Sequence, residues 1–171
     1  MVNLGFVPED GHLPLVSRRW MPYPEEQLKV IGALARDIVA RHAIEPHRVV
    51  GHSDIAPQRK IDPGPLFPWE RLYWEFGVGA WPDNDTVALY ANHFPYSGDI
   101  RTLQSKLAAY GYEVEQDGHF DEAMQKVVAA FQMHFRPARY DGVPDVETVA
   151  VLDALLEKYR DAQRPELDIM S

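Results

Sequence analysis

Gly51-His52-Ser53-Asp54-Ile55-Ala56-Pro57-Gln58-Arg59-Lys60-Ile61-Asp62-Pro63-Gly64-Pro65-Leu66-Phe67-Pro68-Trp69 decides how the first half of this chain is read. Its 19 residues hold one His, two Asp, an Arg-Lys pair, four Pro and two Gly. Proline removes backbone donors and blocks helix, and the polar content argues against a core strand. The β-branched pair Val49-Val50 comes just before it. The sequence therefore predicts a short strand over 48–51, and a rigid loop that leaves its end and presents His52, Lys60 and Asp62 to one place. Loops held stiff by a scaffold are where chemistry usually sits.

Upstream, Pro24, Glu25 and Glu26 open a helix predicted over 25–42, with acidic groups at its positive end. Leu28, Ile31, Leu34, Ala35, Ile38, Val39 and His42 recur at threes and fours. They form one apolar stripe, which needs a partner, most simply a sheet. Ile44 to His47 reads as the exit turn. Residues 1–24 are broken by Pro8, Gly11, Pro14, Pro22 and Pro24 and read as irregular, either a binding or lid segment or a poorly ordered terminus. Met1-Val2-Asn3-Leu4 reads as the stub of a strand. One helix, one strand and a stub do not close a core. Either this half is loosely folded, or it is the back end of a domain whose front strands are absent.

Downstream, Trp69 to Phe76 has the pattern of a short amphipathic helix stopped at Gly77. The stretch to Gly98 is turn-rich and reads as a connector, with a domain boundary near residue 82. Three helices follow. The first spans 99–110, capped by Asp99 and closed by Gly111. The second spans 121–135, and the third begins after Asp145. Together they can share one small core. No internal repeat is apparent, and the tail after Arg160 is expected to fray.

The whole chain has 171 residues and a net charge of −9, from 17 Lys+Arg against 26 Asp+Glu. An acidic balance disfavours nucleic acid as a partner. No cysteine is present, so thiolate chemistry and disulfides are excluded. No run approaches the length of a membrane span, and the first residues do not form a signal peptide. A monomer is expected.

His52 and Asp62 offer an imidazole nitrogen and a carboxylate oxygen, both good zinc donors. A stiff ten-residue loop can turn both onto one ion. A catalytic zinc keeps three protein ligands and one open position, so a third ligand is unaccounted for. Lys60 is placed to stabilise a developing oxyanion. On spacing alone the plainer reading is the more common one: a hydrogen-bonded His beside a strand, and an Asp that opens a turn before Pro63. Asp54 can cap the turn or orient an imidazole.

The segment from His52 to Trp69 resembles the signature loop of the type 2 N-acetylmuramoyl-L-alanine amidases. The similarity runs from the first residues to about Tyr159. It passes through the Pro24-to-His42 helix and Ala130-Phe131-Gln132-Met133-His134-Phe135-Arg136-Pro137. The resemblance implies a mixed α/β amidase-type domain holding one Zn2+, of which residues 1–82 would be the C-terminal part only. It implies a linker at 83–98, an all-α three-helix peptidoglycan-binding domain at 99–160 and a tail at 161–171. It further implies cleavage of the amide between N-acetylmuramic acid and L-alanine in peptidoglycan or muropeptides. By motif position His52 would be a zinc histidine, Asp62 the zinc carboxylate and Lys60 the catalytic lysine. The family's first zinc histidine and its catalytic glutamate would lie upstream of Met1, and His12 and Glu9 do not replace them. A chain so shortened is expected to bind zinc weakly and turn over slowly or not at all. A location in the cell envelope is likewise implied. The alternatives are a non-catalytic wall-binding protein resting on residues 99–160, with Tyr110, Tyr112, Phe131 and Tyr140 compatible with sugar contact, or a remnant with a structural metal.

Overall fold

The computed structural model describes residues 5–163 and 165. The strand stub expected at residues 1–4, and most of the tail after Arg160, lie outside them. The described residues are helical: α1 (Glu25–His42), α2 (His52–Ile55), α3 (Trp69–Phe76), α4 (Asn84–His93), α5 (Ile100–Tyr110), α6 (Glu122–Phe135) and α7 (Val146–Tyr159). Short 3-10 turns at Pro8–His12, Leu15–Ser17 and Pro46–Arg48 complete the regular structure. The single β feature among them is an isolated antiparallel bridge between Phe6 and Trp20. The α/β expectation is therefore not met here. Val49 is extended, but Val49-Val50 is in no strand, because no described segment runs beside it to supply a ladder.

The chain divides into two compact units that do not follow chain order: Met1–Trp81 with Asp121–Val143, and Pro82–Phe120 with Pro144–Ser171.

In the first unit α1 packs on α3, and α2 and α3 pack on α6. Gly32 lets α1 come close, since a Cβ there would lie 2.5 Å from Cγ of Phe76. Glu25 accepts two hydrogen bonds from the Arg71 guanidinium at 2.9 and 3.0 Å. Beyond Leu28 and Gly32 the stripe of α1 is poorly covered: Leu34 is 57% exposed and Ile38 39%. The predicted helix is present, but the predicted sheet beneath it is not among the described residues.

Residues 5–24 are irregular yet anchored. Val7 donates to the Arg19 carbonyl and Met21 to that of Gly5. The buried Asp10 accepts from the Arg19 backbone N–H, Nε and Nη2 at 2.8–2.9 Å. That guanidinium and backbone donation hold the Asp10 carboxyl down to about 2.

In the second unit α7 lies between α4 and α5. Tyr90, Ala150 and Ala154 form its core, with Val87, Ala91 and Phe94 packed against them. The stretch read as a connector thus contains α4. Its 3–4 spacing of apolar residues was masked by the turn-forming Asp83-Asn84-Asp85 and Pro95 around it. Lys106 Nζ reaches the buried Asp153 at 2.7 Å, tying α5 to α7.

An internal repeat, not apparent in the sequence, emerges from the hydrogen bonds. In the second unit the Gln104 Oε1 accepts from Gly118 N–H at 2.7 Å, and its Nε2 donates to the His119 carbonyl at 3.0 Å. In the first unit Gln132 Oε1 accepts from Gly142 N–H at 2.8 Å, and its Nε2 donates to the Val143 carbonyl at 3.0 Å. Each loop reads Asp-Gly-x-x-Asp. The last Asp caps the next helix, Asp121 on Met124 N–H and Asp145 on Thr148 N–H.

Candidate functional site

The loop quoted first is built around α2. Gly51 precedes it, and the Asp54 carboxylate reaches back to accept the Gly51 N–H at 2.8 Å. The expectation of no helix in this segment fails by one turn, which that carboxylate caps. Gly51 is required sterically, since a Cβ there would sit 2.5 Å from Cδ of Pro63. Ser53 N–H donates to the Asp62 carbonyl at 2.9 Å, drawing the far end of the loop back onto α2.

The consequence is the contact the sequence anticipated: His52 Nδ1 and Asp62 Oδ2 lie 2.6 Å apart. The imidazole is 71% exposed and the carboxylate 28%, so the pair faces solvent. Lys60 is exposed on the same loop, its backbone N–H bonded to the Ala56 carbonyl. Among the described residues the structure does not bring its ammonium onto the His52–Asp62 pair.

Aromatic packing stiffens the loop's second half. Tyr23 Oη donates to the Pro63 carbonyl at 2.9 Å. Its ring packs edge-on against Phe67 at 5.1 Å, and Phe67 packs against Trp69 at 4.6 Å. Gly64, at φ +81°, leaves room for the Trp20 ring, which a Cβ would approach to 2.3 Å. The N-terminal segment is therefore a brace on the loop.

Asp54 plays both roles weighed for it, but the imidazole it binds is not that of His52. Its Oδ2 lies 2.8 Å from Nδ1 of His134 on α6, and both side chains are buried. The His134 ring stacks on Trp69 at 3.9 Å and 15°. Sequence reasoning missed His134, whose partner lies 80 residues away.

His52 and Asp62 are the right donor types for zinc and converge, so they fit as two of its ligands. No group of three or more His, Cys, Asp or Glu positioned for one ion is found among the described residues. No described helix is long and apolar enough to cross a membrane. Of the four aromatics considered for sugar contact, Tyr110, Tyr112 and Phe131 are buried in the core.

Two stretches of the chain match known family models. Residues 2–65 match N-acetylmuramoyl-L-alanine amidase and residues 96–152 match the peptidoglycan binding domain, and the chain is related to these amidases.

Among individual proteins it is 50% identical over 142 residues to N-acetylmuramoyl-L-alanine amidase AmiD of Escherichia coli K12, covering 81% of this chain and 50% of that one. The structure of E. coli AmiD in complex with anhydro-N-acetylmuramic acid-L-Ala-D-gamma-Glu-L-Lys superposes with a TM-score of 0.76 at 46% identity, covering 83% of this chain and 55% of that one. The structure of AmpDh3 from Pseudomonas aeruginosa gives 0.75 at 41% identity, covering 85% and 57%. The chain spans about half the length of the relatives it matches.

Proposed function

We propose that this chain acts on peptidoglycan or its muropeptides, hydrolysing the amide between N-acetylmuramic acid and L-alanine with the help of Zn2+. The observation that carries this is the 2.6 Å meeting of His52 and Asp62, ten residues apart on the loop that resembles the amidase signature. These two side chains would hold the ion, with a third ligand and a general base supplied from outside the described residues. When bound, zinc would polarise the amide carbonyl and acidify a water. Asp54 holds the N-terminal end of α2 so that His52 stays aimed. Lys60 would swing from its exposed position to stabilise the oxyanion. Residues 1–82 would be the C-terminal part of the amidase domain and 99–160 the wall-binding part, acting as a monomer in the cell envelope.

The test is zinc titration by calorimetry with wild type, His52→Ala and Asp62→Asn, beside assay of L-alanyl peptides released from purified peptidoglycan. Wild type is expected to bind zinc at one site, and each substitution to weaken binding at least tenfold. Equal affinity in all three would overturn the ligand assignment. Peptide release unaffected by either substitution would overturn the catalytic one.

A second reading is wall binding without catalysis, favoured by the finding of only two donors at the site among the described residues. Retention of the full chain on insoluble peptidoglycan, without any peptide release at saturating zinc, would select it. Because α6 packs with the first unit, the full chain rather than a C-terminal fragment is the material for this test.

A further inference from the structure

The buried His134–Asp54 pair lies within the first unit, yet His134 belongs to a helix inside the stretch that matches the peptidoglycan binding domain. We infer that His134 is a positioning residue for the His52–Asp62 loop, acting through Asp54. This rests on the reading of His52 and Asp62 as metal ligands.

The chain of contacts is short. A carboxylate only accepts, so Nδ1 of His134 donates to Asp54. The same Oδ2 accepts the Gly51 N–H at 2.8 Å, which fixes the residue immediately before His52. Ser53, the next residue but one, is tied to the Asp62 carbonyl. The two ends of the loop are thus bound to each other, and the joined pair is bound to α6 by His134. Nε2 of His134 is buried without a hydrogen-bond partner among the described residues, so within them the bond to Asp54 is the imidazole's one polar tie. Gln58 Nε2, donating to the Ala123 carbonyl at 2.9 Å, fastens the loop to α6 a second time. A buried carboxylate that loses its donor is costly and moves toward water or another partner. Here that movement would pull on Gly51 and hence on His52.

Two substitutions separate hydrogen bonding from packing. His134→Asn places an amide N–H near the position of Nδ1 and gives up the stack on Trp69. His134→Phe keeps the stack and gives up the donor. The measurements are hydrogen exchange of the Gly51 and Ser53 amides in the metal-free protein, and Zn2+ affinity by calorimetry. His134→Phe is expected to speed Gly51 exchange at least tenfold and to weaken zinc binding about 10- to 100-fold, as loss of an orienting partner does. His134→Asn is expected to keep both within about threefold of wild type, the tie to Asp54 being retained.

Unchanged exchange and affinity in His134→Phe would overturn the assignment, and so would equal losses in both variants, which would mean packing alone. If wild type takes up no zinc, the ligand reading has failed, and Gly51 exchange alone decides the positioning role. Should His134→Phe not fold, the wild-type imidazole still gives an answer. A slowly exchanging Nδ1–H signal from His134 supports the tie, and its absence in a folded sample refutes it.

Discussion

Replacing Gln132 tests the idea that a single buried amide holds the loop after α6. The side chain is fully buried, with its oxygen on Gly142 N–H at 2.8 Å and its nitrogen on the Val143 carbonyl at 3.0 Å. Ala in its place orphans both backbone groups, each at about 1–3 kcal/mol. The vacated volume adds about 1 kcal/mol more, as a void that the neighbours only partly fill. The loop has little freedom to rearrange, because a Cβ on Gly142 would lie 2.6 Å from the Gln125 carbonyl oxygen and its φ is +76°. The total is roughly 3–7 kcal/mol, a drop of about 6–28 °C in melting temperature for a chain of this size. Gln132→Met separates the causes, since it restores most of the volume and none of the polar atoms. Urea denaturation followed by far-UV circular dichroism is expected to place Met about 2–6 kcal/mol below wild type. A Met variant within about 1 kcal/mol of wild type would refute the hydrogen-bond argument and leave packing as the cause.

Three further outcomes follow from the same contacts. Gly51→Ala must push Pro63 away from α2; zinc affinity is expected to fall at least tenfold while helicity by circular dichroism is retained, and unchanged affinity would count against a close-packed loop. Leu34→Asp on the exposed face of α1 is expected to cost no more than about 0.5–1 kcal/mol in urea, as exposed sites do, whereas Leu28→Asp on the buried face should prevent folding. Asp10, held to about 2 against an ordinary 3.8, binds fewer protons folded than unfolded across that interval. Stability therefore falls as pH drops from about 4 toward 2, and Asp10→Asn should flatten that limb of a melting-temperature profile.

Helix positions were legible because their ends carry local chemistry. Asp99 and Asp145 cap α5 and α7, and Gly111 follows α5, where Ile100, Leu103 and Leu107 at threes and fours already marked the inner face. The α4 helix was not legible, since its N-cap Asp83 makes no side-chain capping bond and its partners Ala150 and Ala154 are some 60 residues away in the fold's contacts. The strand at Val49-Val50 was read from β-branching alone, and β-branched residues pair only when a neighbour exists. The meeting of His52 and Asp62 was readable, because proline and glycine leave a loop of that length few ways to close. The role of His134 was not. Nothing near Met133-His134-Phe135 distinguishes a histidine on a buried helix face from one at its edge, and its carboxylate partner sits in a turn the prolines appeared to forbid.

The repeat explains why His134 stands where it does. The two glutamines occupy equivalent places, yet the spans to their glycines differ, 14 residues from Gln104 to Gly118 and 10 from Gln132 to Gly142. Unequal spans hide the repeat from any fixed period. Two residues beyond each glutamine stands a basic side chain that reaches a buried aspartate: Lys106 to Asp153 at 2.7 Å, and His134 to Asp54 at 2.8 Å. In the second unit this tie joins two helices and is structural. Burial pushes the Asp153 carboxyl up, and the ammonium of Lys106 opposes that. In the first unit the same helical position is filled by a planar ring that stacks on Trp69 and meets a carboxylate on α2 rather than on a long helix. A flexible lysine there would neutralise Asp54 without fixing its direction, whereas an imidazole held flat donates along one line. Direction matters at this point, because the next residue after the one Asp54 caps is His52. A helix-to-helix tie in one copy has become, in the other, a way to aim a side chain.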